Sequence, residues 1–335
     1  MSRLPVILLA SIAASVLHAQ DIDPFFAGRS PLLLDPSRSG FAPGIQLTLL
    51  HQDQFLQFPG AWRSDMINAE WCARNKKKSV RSWLGVGLSA MRDKQGLIGS
   101  RLSSIGVMPA AHLRTGQRSF LSTGIEVRWV DHQLGDGTGA WGSQYNGTRY
   151  DAGLSSGEEW ASATQSWVET RAGFSWTMKR DVESARRRER DLLVIGIAAD
   201  HLGRLLLNDG GISTAPPAMR LTAYALGEVP HEIWDDGFFA GELIGHVQGP
   251  FHTGRVNIYA GKHILNRTRA SSGPMLLGFK VGVGYRFQDA FLMNAAIDVG
   301  RATFGAAYGW SIINTDSYAT GRRTFELMLQ IRPLI

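Results

Sequence analysis

From about Gly44 to the C-terminus, side-chain character alternates with a period of two. In 277–287 the odd positions are Leu277, Phe279, Val281, Val283, Tyr285 and Phe287. The even ones are Gly278, Lys280, Gly282, Gly284 and Arg286. In 302–312, Ala302, Phe304, Ala306, Tyr308, Trp310 and Ile312 take one phase, and Thr303, Gly305, Ala307, Gly309 and Ser311 the other. Successive side chains of a strand point to opposite faces, so these are strands with one oily face and one polar or tiny one. The pattern predicts about fourteen: 43–55, 62–75, 79–92, 101–113, 118–132, 166–178, 191–202, 216–229, 235–247, 251–263, 275–287, 288–300, 301–313 and 321–334. Turn chemistry separates them, as in Arg114-Thr115-Gly116-Gln117, Asp209-Gly210-Gly211 and Gln248-Gly249-Pro250. Past the N-terminus no apolar run approaches the ~18–20 residues of a spanning helix.

A long meander of strands makes either a secreted sandwich or propeller, or a transmembrane barrel. Soluble strands average ~5–6 residues, whereas a tilted spanning strand needs ~9–11. The polar faces carry Glu126, Arg128, Glu169, Arg171, Glu242, Lys280, Arg286, Asp298 and Glu326. A barrel in lipid turns its oily face outward and fills its lumen with such charges, and closure satisfies every backbone group. The expected fold is therefore all-β: a transmembrane antiparallel β-barrel of about 14 strands over 43–335, with both termini periplasmic.

The first nineteen residues read as a signal peptide. A short basic start with Arg3 precedes the apolar Leu4–Leu17 stretch, and Ala19 precedes the polar Gln20-Asp21. Export to a Gram-negative outer membrane follows. Composition agrees: of 335 residues 44% are hydrophobic, which excludes a disordered chain, and the one cysteine excludes a disulfide scaffold. The net charge of +6 does not indicate nucleic acid in a chain of signal peptide and aromatic-banded strands. Its Lys76-Lys77-Lys78 and Arg186-Arg187-Arg188 clusters fall in expected turns, as solvated tips or docking patches.

No arrangement of residues points to catalysis, a cofactor or a metal. Asp131-His132 and Asp200-His201 are sequence neighbours, so on a strand they point apart and read as rim residues. There is no His-x-Ser, and the nine histidines are scattered. Glu126/Arg128 and Glu169/Arg171 lie on strands expected to pair, and read as salt-bridged lumen filling. The longest gap, Gln133–Gln165, is glycine-rich and carries Trp141, Tyr145, Tyr150 and Trp160, candidates for partner contact. Ahead of the barrel, 20–42 forms a separate N-terminal segment. Its three X-Pro steps exclude a regular element, yet Phe25, Phe26, Leu32, Leu33 and Leu34 are too apolar for a free tail. The nearest shelter is the periplasmic mouth, and the segment is expected to fold back into the lumen as a partial plug, held by polar contacts to charges such as Arg286, Asp298 or Glu326.

The order of several short motifs resembles a known family. Asp21-Ile22-Asp23-Pro24-Phe25-Phe26 and the stretch from Ser30 to Gly40 are similar to the "NP…LNPA…G" opening of PorP/SprF outer-membrane proteins, with Ser30 and Asp35 where Asn is usual. His51-Gln52-Asp53-Gln54-Phe55, the Trp83–Leu88 strand, Leu192–Leu202, Gly284-Tyr285-Arg286, Gly305–Trp310 and Phe325-Glu326-Leu327 resemble its later strands in order. The resemblance implies a non-enzymatic component of the type IX secretion and gliding-motility machinery. Its implied partners are other secretion components and a secreted surface protein, often an adhesin with a C-terminal sorting domain, which it helps export or anchors. The remaining alternative is an outer-membrane solute channel or hydrophobic-ligand transporter.

Overall fold

The computed structural model describes residues 22–57, 60–72, 80–96, 99–133, 135, 141–155, 164–179, 191–208, 217–231, 237–266, 275–312 and 322–332. The proposed signal peptide, Trp160 and both triple-basic clusters lie outside them. The first seven strands are β1 (Gly44–Gln54), β2 (Trp62–Cys72), β3 (Ser82–Gln95), β4 (Ser100–Arg114), β5 (Ser119–Gln133), β6 (Thr164–Lys179) and β7 (Asp191–Asn208). The rest are β8 (Arg220–His231), β9 (Gly237–Gln248), β10 (Phe251–Asn266), β11 (Met275–Arg286), β12 (Ala290–Val299), β13 (Ala302–Ser311) and β14 (Arg323–Ile331). Each pairs antiparallel with its sequence neighbours. β1 also pairs with β14, from Leu47 opposite Ile331 to Gln54 opposite Thr324, which closes the barrel and removes its free edges.

An even number of strands puts the start of β1 and the end of β14 at one end of the barrel, here the terminal end. The 134–163 connection lies at the other, the loop end. The two faces separate by parity. Leu84, Leu88, Ile105, Phe279, Val281, Val283 and Phe304 are exposed on the outside, while Lys280, Asn257, Gln330 and Glu326 are buried within. Among the described residues no helix is long and apolar enough to cross a membrane.

One stretch departs from the expected strands. β7 runs to Asn208 rather than ending near 202, and Asp200 and His201 lie inside it, not at its rim. Thr170 and Ala172 of β6 stand opposite Gly203 and Ala199, so β7 spends four steps where β6 spends two. His201 absorbs the excess at φ 57°, in the left-handed region. This bulge resets the alternation. Asp200 contacts Arg171 and His201 reaches Glu169, so both point into the lumen instead of to opposite faces. Beyond the bulge Leu205, Leu206 and Leu207 are all exposed.

The hydrophobic core is inside the barrel, supplied by the segment ahead of β1. Phe25 and Phe26 pack with Leu50, Met66, Leu292, Ala307 and Met328. Ala27 and Leu34 meet Val194, Tyr224 and Ile244, and Phe41 joins Cys72, Trp83 and Phe120. The prolines break the segment into single turns at Ala27–Arg29, Pro31–Leu34 and Pro36–Arg38. Pro31 and Pro36 each open a turn, where the missing N–H costs nothing. Asp35 caps the last by accepting from the Ser37 N–H at 2.7 Å.

Candidate functional site

The segment threads the barrel from end to end. It begins at the loop end, where Arg220, the first residue of β8, donates to the Ile22 carbonyl at 3.4 Å. Arg255 lies 3.1 Å and Arg286 3.5 Å from the Asp23 carboxylate, and His246 lies 3.6 Å away. The two arginines stand directly opposite each other on β10 and β11. Like charges so placed repel, and the Asp23 carboxylate between them supplies the counter-charge.

Midway, the fully buried Glu326 accepts the Phe25 and Phe26 N–H groups, both at 2.7 Å, and the Gln52 amide at 2.7 Å. Arg171 donates to the Leu32 and Leu33 carbonyls at 2.9 and 2.8 Å. Tyr224 donates to Asp35 at 2.8 Å, and Ser37 meets Ser175 at 2.7 Å. The bonds from Glu326 and Arg171 satisfy backbone groups that the irregular segment cannot satisfy itself, and those at Asp35 and Ser37 tie its side chains to the wall. Glycines of the wall make the passage, two of them at its middle. A Cβ on Gly124 of β5 would stand 2.5 Å from the Pro36 carbonyl, and one on Gly173 of β6 would collide with Asp35.

The segment leaves at the terminal end. There His112 meets the Ser39 carbonyl at 2.9 Å, Glu70 accepts from the Gly40 N–H at 2.9 Å, and Trp83 donates to the Gly40 carbonyl at 3.3 Å. The Phe41 ring packs against Trp83, His112 and Phe120, with Arg38 and Lys179 over its face. The segment expected as a partial plug runs the length of the lumen instead. Eighteen residues with three proline-broken turns cover the whole lumen, and Asp23 reaches the opposite end.

The charges read from alternation all face inward. Glu126 stands opposite Arg171 and Arg128 opposite Glu169. Arg171 reaches Glu126 at 3.3 Å, and Arg128 contacts Glu169, which also accepts from Trp167 at 3.0 Å. Lys280 sits 3.8 Å over the Tyr259 ring. Arg286 and Glu326 hold the segment; Asp298 accepts from Thr303 at 2.5 Å instead. Of the apolar candidates, Phe25, Phe26, Leu32 and Leu34 are buried and Leu33 half-buried. Sequence reasoning missed Asp23, Asp35, Tyr224 and Arg255.

At the loop end, residues 141–155 form a small unit around the buried Gln144. It accepts from the Trp141 N–H at 3.1 Å and from the Tyr150 hydroxyl at 3.3 Å, and donates to the Leu154 carbonyl at 3.0 Å. Tyr145 and Tyr150 form an isolated bridge with both rings exposed, and Trp141 is half-buried.

A closed antiparallel barrel with an oily exterior and a charged lumen crossed by its own N-terminal segment is of the outer-membrane class. Residues 20–186 match the family model of the type IX secretion system membrane protein PorP/SprF, and over that half of its length the chain belongs to this family. Among solved structures, a TodX deltaS2S3 mutant monoaromatic hydrocarbon channel is 10% identical, with a TM-score of 0.50, covering 90% of this chain and 94% of that one. A Pseudomonas aeruginosa FadL homologue is 11% identical (TM-score 0.43, 89% and 92% covered), and the β domain of the Bordetella autotransporter BrkA is 9% identical (0.40, 87% and 99%). At 10% identity the first of these shows the fold alone. No curated protein matches the chain.

Proposed function

We propose that this barrel is a non-enzymatic part of the type IX secretion machinery that helps export, or anchors at the cell surface, a large secreted protein such as an adhesin with a C-terminal sorting domain. In this reading the signal peptide is removed, the terminal end faces the periplasm and the loop end faces outward. One observation carries it: the passage is filled by 22–43, which is bonded to or packed against lumen-facing residues all the way round the barrel. A barrel so filled offers a partner its outer surface and loops rather than a conduit. The exposed Tyr145 and Tyr150 are contact candidates, with Trp141 and Trp160 beside them in sequence.

Planar-bilayer recording tests the seal. The full chain is expected to be silent and a variant lacking Pro24–Gly40 to conduct; a conducting full chain overturns the reading. Replacing Trp141, Tyr145 and Tyr150 with Ala is expected to release the displayed partner while the barrel stays in the membrane. The alternative, transport of a hydrophobic ligand, would have to use an apolar groove of about 900 Å³ on the outer surface of β6–β10, where Phe174, Ile197, Ala223, Val247 and Phe287 are all exposed. Uptake of a labelled aromatic hydrocarbon by cells carrying the barrel, above that of cells without it, would support it.

A further inference from the structure

On the outward face of β1–β5, beside the loop end, the register stacks polar side chains in two rows. The outermost runs Asp53, Arg63, Lys94, Arg101, Gln133, each directly opposite the next. The second runs His51, Asp65, Arg92, Ser103, Asp131. One step further the row turns apolar: Leu49, Ile67, Ala90, Ile105, Trp129. All share the parity of the exposed Leu88, Ile105 and Val127, and Arg63, Arg92, Lys94 and Arg101 are themselves exposed.

The charges in these rows do not balance locally. Arg63, Lys94 and Arg101 are three cations in line across three adjacent strands, and Asp53 serves Arg63 at one end of that line, which leaves Lys94 and Arg101 side by side, like charges that repel. Two of the three acids in the rows are engaged, and the third, Asp131, stands opposite Ser103 at the end of the second row. Asp53 accepts from Arg63 at 3.0 Å, and His51 bridges Asp65 at 2.6 Å and Asp53 at 3.2 Å. Among the described residues no carboxylate lies within ion-pair distance of Arg92, Lys94 or Arg101.

We propose that Arg92, Lys94 and Arg101 bind the phosphates of lipid A, the phosphorylated glycolipid of an outer leaflet, with its acyl chains along Ile67, Leu88 and Ile105. The rows sit where the apolar band ends, which is the level of lipid head groups. Long basic side chains there lay their stems on apolar surface and present their charge to the interface. Arg matches phosphate bidentately and Lys adds a point charge, so several cations on neighbouring strands suit a head group with more than one phosphate. A protein ligand is less well served, because the apolar row directly beneath lies against lipid chains. The choice of leaflet rests on the loop end facing outward, as proposed above.

The test is native mass spectrometry of the full barrel in neutral detergent, titrated with bis-phosphorylated lipid A. This reads the patch whichever way the barrel is oriented; labelling of 141–155 on intact cells reads the orientation separately. The Lys94→Gln/Arg101→Gln double variant is expected to lose affinity about tenfold or more, while Lys94→Arg keeps it. Phosphatidylethanolamine is expected to be retained no better by the native chain than by the double variant. A heat-modifiable gel shift identifies assembled barrels, and Arg101→Gln alone serves if the double variant does not assemble. Undiminished lipid A binding by the variants overturns the proposal. So does displacement of lipid A by millimolar inorganic phosphate, which would mean a free-anion site, or loss of a co-purifying protein with lipid A retained.

Discussion

The two ends of the lumen hold the same segment by different physics. At the terminal end, Phe41 is packed among three rings, and the backbone of Ser39 and Gly40 bonds to His112, Glu70 and Trp83. At the loop end, Asp23 is held by charge. Arg255 is almost wholly buried, yet none of its three guanidinium nitrogens makes a hydrogen bond of good geometry; its partner is the Asp23 carboxylate. Packing plus satisfied hydrogen bonds resists any displacement. A charge pair of loose geometry holds until a competing ion or water satisfies the partners. The terminal end is therefore the anchor, and the loop end is the one that lets go first.

The largest effect expected from a point change is at the anchor. Phe41→Ala removes a ring from a closed aromatic cluster, and such truncations cost about 3–5 kcal/mol. Thermal unfolding in detergent is expected to shift down with the whole barrel losing cooperativity. An unchanged midpoint would mean that the anchor lies elsewhere.

A smaller loss is expected at the middle. Glu326→Gln keeps one acceptor oxygen but replaces the other with an N–H donor. One of the Phe25 and Phe26 N–H groups is then left buried and unpaired, at about 1–3 kcal/mol. Restoring the midpoint with Glu326→Asp is not expected, since a shorter side chain cannot reach both groups. A midpoint equal to that of the native chain would remove Glu326 from the holding set.

Much of this architecture was written in the alternation. Leu277–Phe287 reads as a strand with its outward and inward faces assigned, because one face meets lipid and the other does not. β7 was harder. Its bulge at Asp200–His201 is marked only by Gly203 at its far end, and two extra residues suffice to hide three leucines of a strand. The segment's apolar content showed that 23–42 needs shelter, but not that it crosses the lumen. A signal for that existed in Gly124 and Gly173. Glycine on the inward face of a strand marks close approach of another backbone. Arg255 was equally silent. Only the register places it opposite Arg286, and only the fold brings Asp23, more than two hundred residues away, between them.

The smallest effect on global stability, and the sharpest on local opening, is expected from Asp23→Asn. Without the carboxylate, Arg255 and Arg286 face each other with no anion between them, so the loop end of the segment gives way while Phe41 still holds the other. A charge-assisted contact of this kind contributes about 1.5–3 kcal/mol, which makes the open state roughly ten- to a hundredfold more populated. The unfolding midpoint should hardly move, because the barrel and its anchor are intact. An Ile22→Cys probe reads the opening directly: its labelling by a membrane-impermeant maleimide on intact cells should accelerate by that factor in the Asp23→Asn background. The same probe in the Phe41→Ala chain should accelerate only in step with global unfolding. Equal acceleration in both backgrounds, measured below the unfolding transition, would show that the two ends are held alike and release together.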